Sequence, residues 1–324
     1  MPQYQFVNTA DTLTLGFDIG GTNMRVAAIN SQGEICDSAS VATPESSADL
    51  DAGIIALVEQ FRTKYDIGAV GLAVAGFLDP HCEIVRFAPH LPWRDRPVRD
   101  MLSRALSLPV KLEHDANAAA WGEYRFGAAQ QRDNWVLFAL GTGIGATLMV
   151  NGEIYRGAYG TAPEFGHLTV VPQGRPCPCG KRGCLERYCS GTALESSAAE
   201  FLELNPTHRT VMRELAAQGT LNGKAVARLA SQGDSGARAV FAEFSRWLGQ
   251  ALSLVADTLD PELVVIGGGV SQAHELYLQS AVGHMKQQIV GAAYRPHPQI
   301  TTAQLGADAG MIGVADLARR LIRS

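Results

Sequence analysis

Three cysteines and one histidine form a dense group of potential metal ligands in the sequence. Cys177, Cys179 and Cys184 lie close together in a segment rich in turn-forming residues, and His167 lies just upstream. Three thiolates and one imidazole can complete a closed zinc site, which stiffens a loop with little core of its own. Because four protein ligands leave no open coordination position, the pattern predicts structural rather than catalytic zinc.

The same cysteines could instead form one disulfide and one free thiol. That alternative requires an oxidising compartment, and residues 1–5 show neither the basic nor the apolar segment of a signal peptide. The scattered cysteines Cys36, Cys82 and Cys189 are interpreted as small buried apolar residues. We therefore expect a zinc-binding protein of the cytoplasm.

Glycine-rich turns follow three apolar segments and offer a second kind of chemistry. They are Gly20-Gly21-Thr22-Asn23, Gly141-Thr142-Gly143 and Gly267-Gly268-Gly269. Backbone N–H groups in such turns can approach phosphate closely, because no side chain bars the way. One such turn is weak evidence, but three at strand ends together predict a nucleotide site, with Asp18 holding Mg²⁺ through water.

Neither common phosphate-binding fingerprint fits these turns. No Gly-Lys-Ser/Thr follows any of them, which excludes a Walker motif. The first turn joins two predicted strands rather than a strand and a helix, which excludes the dinucleotide fingerprint.

Asp115 is a candidate catalytic carboxylate. It follows a predicted strand and precedes a helix predicted to begin at Ala116. A carboxylate at that point suits a general base that faces a bound substrate. It also suits a helix N-cap, which is what the local sequence alone favours.

Apolar runs of strand length alternate with segments of helical periodicity, which predicts an α/β fold. Predicted strands cover 13–18, 25–30, 69–75, 82–87, 110–113, 135–140, 148–150, 153–155, 263–266 and 300–303. Helices are predicted from 47 and 97, over 116–126, within 191–257, near 275–290 and from 309. Along the chain these elements form two successive groups, and each group begins with a hairpin closed by a glycine turn. This arrangement indicates an internal repeat of architecture.

The amino-acid composition argues against nucleic acid and membrane as partners. A net charge of -5 gives no electrostatic reason to expect nucleic acid, and no apolar run reaches the length of a membrane span. The length of 324 residues suits one large or two medium domains.

The chain resembles the ROK family of bacterial sugar kinases and repressors, in the actin/hexokinase-like superfamily. The matching segments are Asp18-Ile19-Gly20-Gly21-Thr22, His114-Asp115-Ala116-Asn117, Gly141-Thr142-Gly143, Glu164-Phe165-Gly166-His167, the run from Cys177 to Glu186, and Gly267-Gly268-Gly269. They span almost the whole chain in family order. Residues 87–94 and 119–123 resemble actinobacterial glucokinases in particular.

The resemblance implies a two-lobed actin/hexokinase-like (ribonuclease H-like) fold with a cleft between the lobes and a structural zinc loop. After a loose arm over residues 1–12, residues 13–122 with 309–324 would form the small lobe and 123–308 the large one. Sugar would bind deep in the cleft with ATP-Mg above it. The implied assembly is a homodimer or homotetramer.

The resemblance also implies a reaction, transfer of the γ-phosphate of ATP to the 6-hydroxyl of glucose. Asp115 would be the general base, Glu164, His167 and Glu186 would bind sugar hydroxyls, and His167 would bind zinc as well. The first two glycine turns would face the phosphates and the Gly267 turn the adenosine. Gly76, His90 and His114 complete the implied substrate site.

Two of those residues depart from the family pattern. Many relatives carry Asn where this chain has His90 and His114. A neutral histidine offers one donor and one acceptor in a different geometry, and a protonated one only donates. Both residues are candidates for sugar contact, and a packed structural role is the alternative for each.

Other functions compete with glucose phosphorylation. A kinase for mannose, fructose or N-acetylmannosamine is close, and a polyphosphate donor would require a basic track that the sequence does not show. A ROK repressor would require a winged-helix domain before the first glycine turn, and only 17 residues precede Asp18. A weakly catalytic sugar sensor is the third alternative.

Overall fold

The structure, a computed structural model, describes residues 12–322. The predicted loose arm therefore lies outside the described residues except for Thr12. The strands are β1 Leu13–Ile19, β2 Asn23–Ile29, β3 Ile35–Ala42, β4 Ile67–Val74, β5 Phe77–Leu78, β6 Val85–Phe87, β7 Arg94–Arg96, β8 Val110–His114, β9 Trp135–Leu140, β10 Ile144–Val150, β11 Glu153–Tyr155, β12 Leu263–Gly267 and β13 Gln299–Thr302.

The α-helices alternate with these strands. They are α1 Ser47–Arg62, α2 Val98–Leu106, α3 Asp115–Phe126, α4 Glu186–Cys189, α5 Gly191–Leu204, α6 Met212–Ala217, α7 Gly223–Ser231, α8 Ser235–Leu259, α9 Leu278–Gln288 and α10 Ala309–Arg319. Short 3₁₀ helices cover Phe165–His167, Gly269–Leu276 and Gly306–Asp308. Among residues 12–322, no helix is long and apolar enough to cross a membrane.

The two large sheets have the same strand order. The first runs β3-β2-β1-β4-β8 and the second β11-β10-β9-β12-β13. In each, a hairpin with a glycine turn comes first in the chain, and two later strands extend the sheet from the first hairpin strand. The internal repeat that the sequence predicts is therefore confirmed, while β5, β6 and β7 form a separate small sheet.

The chain divides into two compact units. Within the described residues, unit 1 comprises 12–133, 149–163 and 304–322, and unit 2 comprises 134–148 and 164–303. In unit 1, strands β1, β4 and β8 and helices α1 and α2 supply a continuous apolar core. In unit 2, the 25-residue helix α8 supplies much of a second core with the inner faces of β9 and β12.

These units differ from the predicted lobes at their borders. The predicted division after residue 122 would cut α3, which runs without a break to Phe126. The residues up to 133 belong to unit 1, and so does the segment 149–163. The observed border, between Asp133 and Asn134, lies in the polar stretch from 127 to 134.

Helix α10 holds the first sheet from one face and packs against α3. Gly313 of α10 and Gly122 of α3 lie so close to the opposite backbone that a Cβ at either would overlap it. Small residues permit such an approach. As a result, the start of α3, which carries Asp115, has a rigid support.

Most predicted elements are confirmed, and the errors have local causes. Strand β3 was missed because none of its residues is buried, and Asp37, Ser38 and Ser40 interrupt its apolar pattern. The strand predicted from Cys82 begins only at Val85, because Cys82 adopts a left-handed turn conformation (φ 55°). The helix predicted near 275–290 is confirmed as α9, except that its first residues belong to a preceding 3₁₀ segment.

Candidate active site

The carboxyl ends of β1, β4 and β8 meet at one edge of the first sheet. These strands are parallel, and Asp18, Ala73 and Glu113 occupy one row across them. Because ligands of open α/β sheets bind at such edges, this is where a site is expected in unit 1. The first glycine turn, Gly76 and Asp115 all follow these strand ends.

The first glycine turn is held by its own backbone and by one hydroxyl. The Gly20 N–H donates to the Asn23 carbonyl at 3.1 Å, and the Thr43 hydroxyl donates to the Gly20 carbonyl at 2.6 Å. Gly20, Gly21, Thr22 and Asn23 are all at least partly exposed. The turn therefore has a fixed shape and an accessible surface, as an anion cradle requires.

Asp18 lies beside this turn among other charged groups. Burial raises its pKa, the negative charges of Asp115 and Asp308 raise it further, and Arg25 opposes them. Arg25 lies 3.9 Å from the Asp18 carboxylate and pairs directly with Asp308. Carboxylates this close together favour a cation between them, because a divalent ion relieves their repulsion.

Asp115 is the first residue of α3, and its side chain is 45% exposed. One carboxylate oxygen accepts from the Ala116 N–H at 2.7 Å and lies 3.3 Å from the His114 Nε2. The predicted N-cap role is wrong, because β8 extends through His114 and that residue takes the cap position without a side-chain bond. Asp115 therefore retains an accessible carboxylate at the sheet edge.

His90 and Gly76 belong to the same edge but in different ways. A Cβ on Gly21 would lie 2.5 Å from the His90 Cβ, so His90 packs directly against the first glycine turn with an exposed side chain. A Cβ on Gly76 would lie 2.7 Å from the Phe87 carbonyl oxygen. The absence of a side chain at Gly76 thus lets the backbone at Phe87, near His90, pack closely against it, so Gly76 has a packing role.

Glu113 is a residue of this region that the sequence analysis missed. It is fully buried and its carboxylate contacts the backbone of His114, the side chain of Asn117 and Arg156. The available signal was a glutamate inside an otherwise apolar strand directly before the candidate base. Its partner, Arg156, lies 43 residues away and no local pattern indicates it.

In unit 2, the second glycine turn is held by a carboxylate. The Ile144 N–H donates to Glu186 Oε2 at 2.8 Å, and a Cβ on Gly143 would collide with that same oxygen. Gly141 closes the turn by donating its N–H to the Gly143 carbonyl at 2.9 Å. Glu186, predicted to bind sugar, therefore lies against the predicted phosphate turn.

His167 ends a short 3₁₀ helix next to the same strand, and Glu164 is the residue directly before that helix. A Cβ on Gly166 would lie 2.7 Å from the Ile144 carbonyl oxygen, so this helix packs against the start of β10. His167 Nε2 lies 4.0 Å from the Glu164 carboxylate, while its Nδ1 faces Cys177 at 3.7 Å. One ring nitrogen thus faces the cysteines and the other faces a carboxylate.

The predicted metal ligands converge. The donor atoms of His167, Cys177, Cys179 and Cys184 all lie within 4.8 Å of one another. The Cys179 and Cys184 sulfurs are 3.7 Å apart. Two thiolates on one tetrahedral zinc are about 3.8 Å apart, given Zn–S bonds of about 2.3 Å. The cluster therefore fits a tetrahedral ion of that size.

The thiols of this cluster differ in acidity. Burial raises the pKa of Cys184 to about 12 and also raises that of Cys177. The pKa of Cys179 is lowered, because hydrogen bonds, first from the Lys181 backbone, outweigh its slight burial. Thiolates bind metals and thiols do not, so metal binding here must release protons.

A cavity of about 1170 Å³ opens beside the second and third glycine turns. Gly141, Thr142 and Gly269 contribute to its wall. Gly268 has a φ of 78°, and a Cβ there would collide with the Leu140 carbonyl, so the third turn packs on the end of β9. This volume exceeds the usual range for small-molecule pockets, so it has room for a nucleotide.

Two helices that the sequence analysis did not assign to a site also begin at this cavity. The first residues of α5 and α7 line it, together with Lys224 and Arg228. Gly223 at the start of α7 permits the two helix ends to approach, because a Cβ there would lie 2.5 Å from the Gly191 carbonyl. Helix N-termini carry partial positive charge, which favours an anionic ligand.

Mixed sheets of repeated strand order, with glycine turns at the strand ends, define an α/β protein of the actin/hexokinase-like class. The chain belongs to the ROK family, whose profile matches residues 14–321. The family that the sequence indicates is therefore confirmed.

Individual relatives extend this likeness. A glucokinase of Streptomyces coelicolor is 38% identical over 310 residues, covering 95% of this chain and 98% of the relative. The crystal structure of a ROK family glucokinase from Streptomyces griseus in complex with glucose and AMPPNP is 40% identical, with a TM-score of 0.81, and covers 95% of this chain and 99% of that one.

A repressor is also among the relatives. The xylose repressor of Bacillus subtilis is 29% identical over 283 residues, which cover 85% of this chain and 67% of the repressor. The family thus includes both catalytic and regulatory proteins.

Proposed function

We propose that this chain is an ATP-dependent glucokinase that transfers the γ-phosphate of ATP to the 6-hydroxyl of glucose. The main observation behind this proposal is the exposed Asp115 carboxylate, which lies at the carboxyl edge of the first sheet beside a glycine turn of fixed shape. Similarity to glucokinases over almost the whole chain supports the same function.

Asp115 acts as the general base. Phosphoryl transfer requires in-line positioning, charge neutralisation and removal of the hydroxyl proton. A positioned carboxylate that accepts this proton contributes a factor of about 10² to 10⁴ in rate. His114, whose ring lies 3.3 Å from the same carboxylate, would orient it or bind a neighbouring sugar hydroxyl.

The sugar hydroxyls are bound by Glu164, His167 and Glu186. Their side chains lie on segments that pack together around Ile144. Two carboxylates and an imidazole accept from and donate to vicinal hydroxyls, which suits a hexose.

The nucleotide binds at the cavity bounded by the second and third glycine turns. Lys224, Arg228 and the N-termini of α5 and α7 offer positive charge to its phosphates. ATP brings Mg²⁺, which Asp18 holds through water. The first glycine turn faces the transferred phosphate.

Zinc is the resident ion of the Cys/His cluster. His167 Nδ1 with Cys177, Cys179 and Cys184 would hold it, and it would supply rigidity rather than reaction chemistry. By fixing the His167 ring, zinc keeps Nε2 directed away from the cysteines and available for a sugar hydroxyl. The same ion stiffens the loop that leads to Glu186.

A neighbouring candidate is a kinase for another hexose. His90 and His114, at positions where the family resemblance implies Asn, would change the hydrogen bonds available to the sugar's middle hydroxyls. We also propose a homodimer or homotetramer, by likeness to the family, which light scattering after size exclusion would test.

An ADP-release assay over glucose, mannose, fructose and N-acetylmannosamine, with ATP or polyphosphate as donor, tests the proposal. We expect glucose with ATP to give the highest kcat/KM by at least tenfold. Activity confined to another sugar would change the assigned substrate, and activity confined to polyphosphate would change the assigned phosphate donor. A protein that binds glucose but releases no ADP would be a sensor.

A further inference from the structure

Glu113 is a charged residue in a place where an unpaired charge is costly. Its side chain is fully buried at the end of β8, two residues before the candidate base. An ionised carboxylate in such surroundings is retained only with close partners, since isolated burial costs several kcal/mol. Its partners therefore indicate its role.

The two carboxylate oxygens of Glu113 contact different parts of unit 1. Oε1 accepts from the His114 backbone N–H at 3.0 Å and from the Asn117 side-chain amide at 3.1 Å. Those two residues flank Asp115 and Ala116 in the chain. A single buried oxygen thus fixes both sides of the turn from which the base projects.

Oε2 of Glu113 pairs with the guanidinium of Arg156. Burial alone would lower the pKa of Arg156, but the Glu113 charge and hydrogen bond outweigh it and the pKa rises. Arg156 is itself held, because one Nη donates to the Ile154 carbonyl at 3.2 Å. The nearby Cys82 thiol stays protonated, since burial raises its pKa to about 11.

We propose that the buried Glu113–Arg156 ion pair is a positioning device for catalysis, which orients the Asp115 carboxylate by fixing the turn from His114 to Asn117. The proposal rests on the proposed function, in which Asp115 is the base. Displacing a reacting group by about 1 Å costs about 100-fold in rate. A pair that served only stability would not affect kcat in this way.

Glu113→Gln is the main test, carried out on the full chain with glucose and ATP. Glutamine retains one acceptor oxygen but turns an N–H toward Arg156, so donor faces donor and the turn must shift. We expect kcat to fall by about 100-fold, while the KM for glucose changes less than about fivefold. The variant does not alter the Asp115 residue itself, so any loss of kcat comes through its position.

Arg156→Lys is the second variant and is useful if Glu113→Gln does not fold. Lysine keeps the charge but loses the planar fork that reaches both Glu113 and the Ile154 carbonyl. We expect a smaller fall in kcat, about tenfold. Glu113→Gln combined with Arg156→Gln should be no slower than Glu113→Gln alone, because the two residues act as one unit.

Asp316→Asn is a matched control. Asp316 is a buried carboxylate of the same unit that accepts from Trp121 Nε1 at 2.8 Å and from Arg125 Nε at 3.1 Å. These two contacts lie on α3 six and ten residues after Asp115, or about 9 and 15 Å along the helix. We expect its Tm to fall as in Glu113→Gln, with kcat within twofold of the unaltered protein.

The outcomes separate the two hypotheses. If Glu113→Gln and Arg156→Lys lower Tm but leave kcat within twofold, the pair is merely structural and the positioning role is excluded. The proposed function would be unaffected by that result, since it depends on glucose phosphorylation by the unaltered chain. If the unaltered chain does not phosphorylate glucose, the proposed function itself fails first.

Discussion

The two large sheets share one strand order but hold their glycine turns differently. In unit 1 the turn after β1 is fixed by backbone hydrogen bonds and the Thr43 hydroxyl, and charged side chains surround it. In unit 2 the turn after β9 is fixed by the Glu186 carboxylate and borders a cavity of about 1170 Å³. The same scaffold thus supports two distinct chemical environments.

This difference shows that the repeat supplies position while the loops supply chemistry. The loop after β8 adds the candidate base to the first sheet. The second sheet gains a Cys/His cluster and two helix N-termini instead. Changes to one turn should therefore differ in the size of their effect from equivalent changes to the other.

Removing a cysteine ligand should have the largest effect. Cys184→Ser is expected to lose the metal and with it the geometry of His167 and Glu186, because structural zinc contributes on the order of 10 kcal/mol in small domains. We expect metal content to fall below about one-tenth of the original and kcat/KM for glucose to fall by at least about 100-fold. Atomic absorption and the ADP-release assay measure the two.

Cys189→Ser is the control for that change. Cys189 is a buried thiol of the same unit outside the cluster, and it donates to the Phe244 carbonyl at 3.4 Å. We expect this variant to keep its metal and its activity. Full activity in metal-free Cys184→Ser would contradict the role given to the ion.

Adding a methyl group to each glycine turn compares the two sheets directly. In Gly143→Ala the new Cβ displaces the Glu186 carboxylate. Because Glu186 would then lose its proposed hydrogen bond to glucose, we expect the KM for glucose to rise by about 10- to 100-fold. In Gly21→Ala it pushes against the His90 Cβ, 2.5 Å away, so we expect a smaller rise, about fivefold. Steady-state kinetics at saturating ATP measure both.

Gly283→Ala is the matched glycine control, since nothing lies within 4 Å of a Cβ at that helical position. This variant should leave the KM for glucose unchanged and raise the free energy of unfolding by about 0.5–1 kcal/mol. Equal effects of Gly143→Ala and Gly21→Ala would show that the two turns are not specialised.

The acidic environment of the first turn predicts a trade-off at Asp18. The pKa of its folded state is raised from 3.8, so its stabilising contribution is present at low pH and is lost as pH rises through the folded pKa. Asp18→Asn should therefore raise Tm at pH 7, with a smaller gain near pH 3. If Asp18 holds Mg²⁺, kcat should fall about tenfold. Calorimetry at both pH values and activity over a Mg²⁺ series test this.

Asp100→Asn is the control, because Asp100 is an exposed carboxylate of the same unit paired with Arg99. Neither Tm nor the Mg²⁺ requirement should change in it. A lower Tm for Asp18→Asn at pH 7 would show that the ionised carboxylate stabilises the fold, against the direction of its pKa shift.

The sequence predicted most of the fold because the central strands are apolar, and β1, β9 and β12 run into glycine turns. Strand β9 and helix α1 illustrate this, since each has a clear apolar pattern, and α1 begins after the N-cap Ser46. Strand β3 was not predictable from that pattern, because it lies at a sheet edge with a polar, exposed face. The borders of the two units depend on which segments pack together, which no local pattern specifies.

The candidate site was predicted in part. Close spacing in the chain revealed the three cysteines, and position after a strand revealed Asp115. The pairing of Glu113 with Arg156 and the meeting of the starts of α5 and α7 depend on contacts between distant parts of the chain. Such contacts become visible only when the elements are assembled.

The central claim is that the carboxylate at position 115 removes the proton from the glucose hydroxyl. The most direct test is Asp115→Asn, with kcat from the ADP-release assay and glucose affinity from calorimetry. We predict a fall in kcat of about 10² to 10⁴, with the glucose Kd within about threefold of the original. A variant that binds glucose and retains kcat within threefold would contradict the claim.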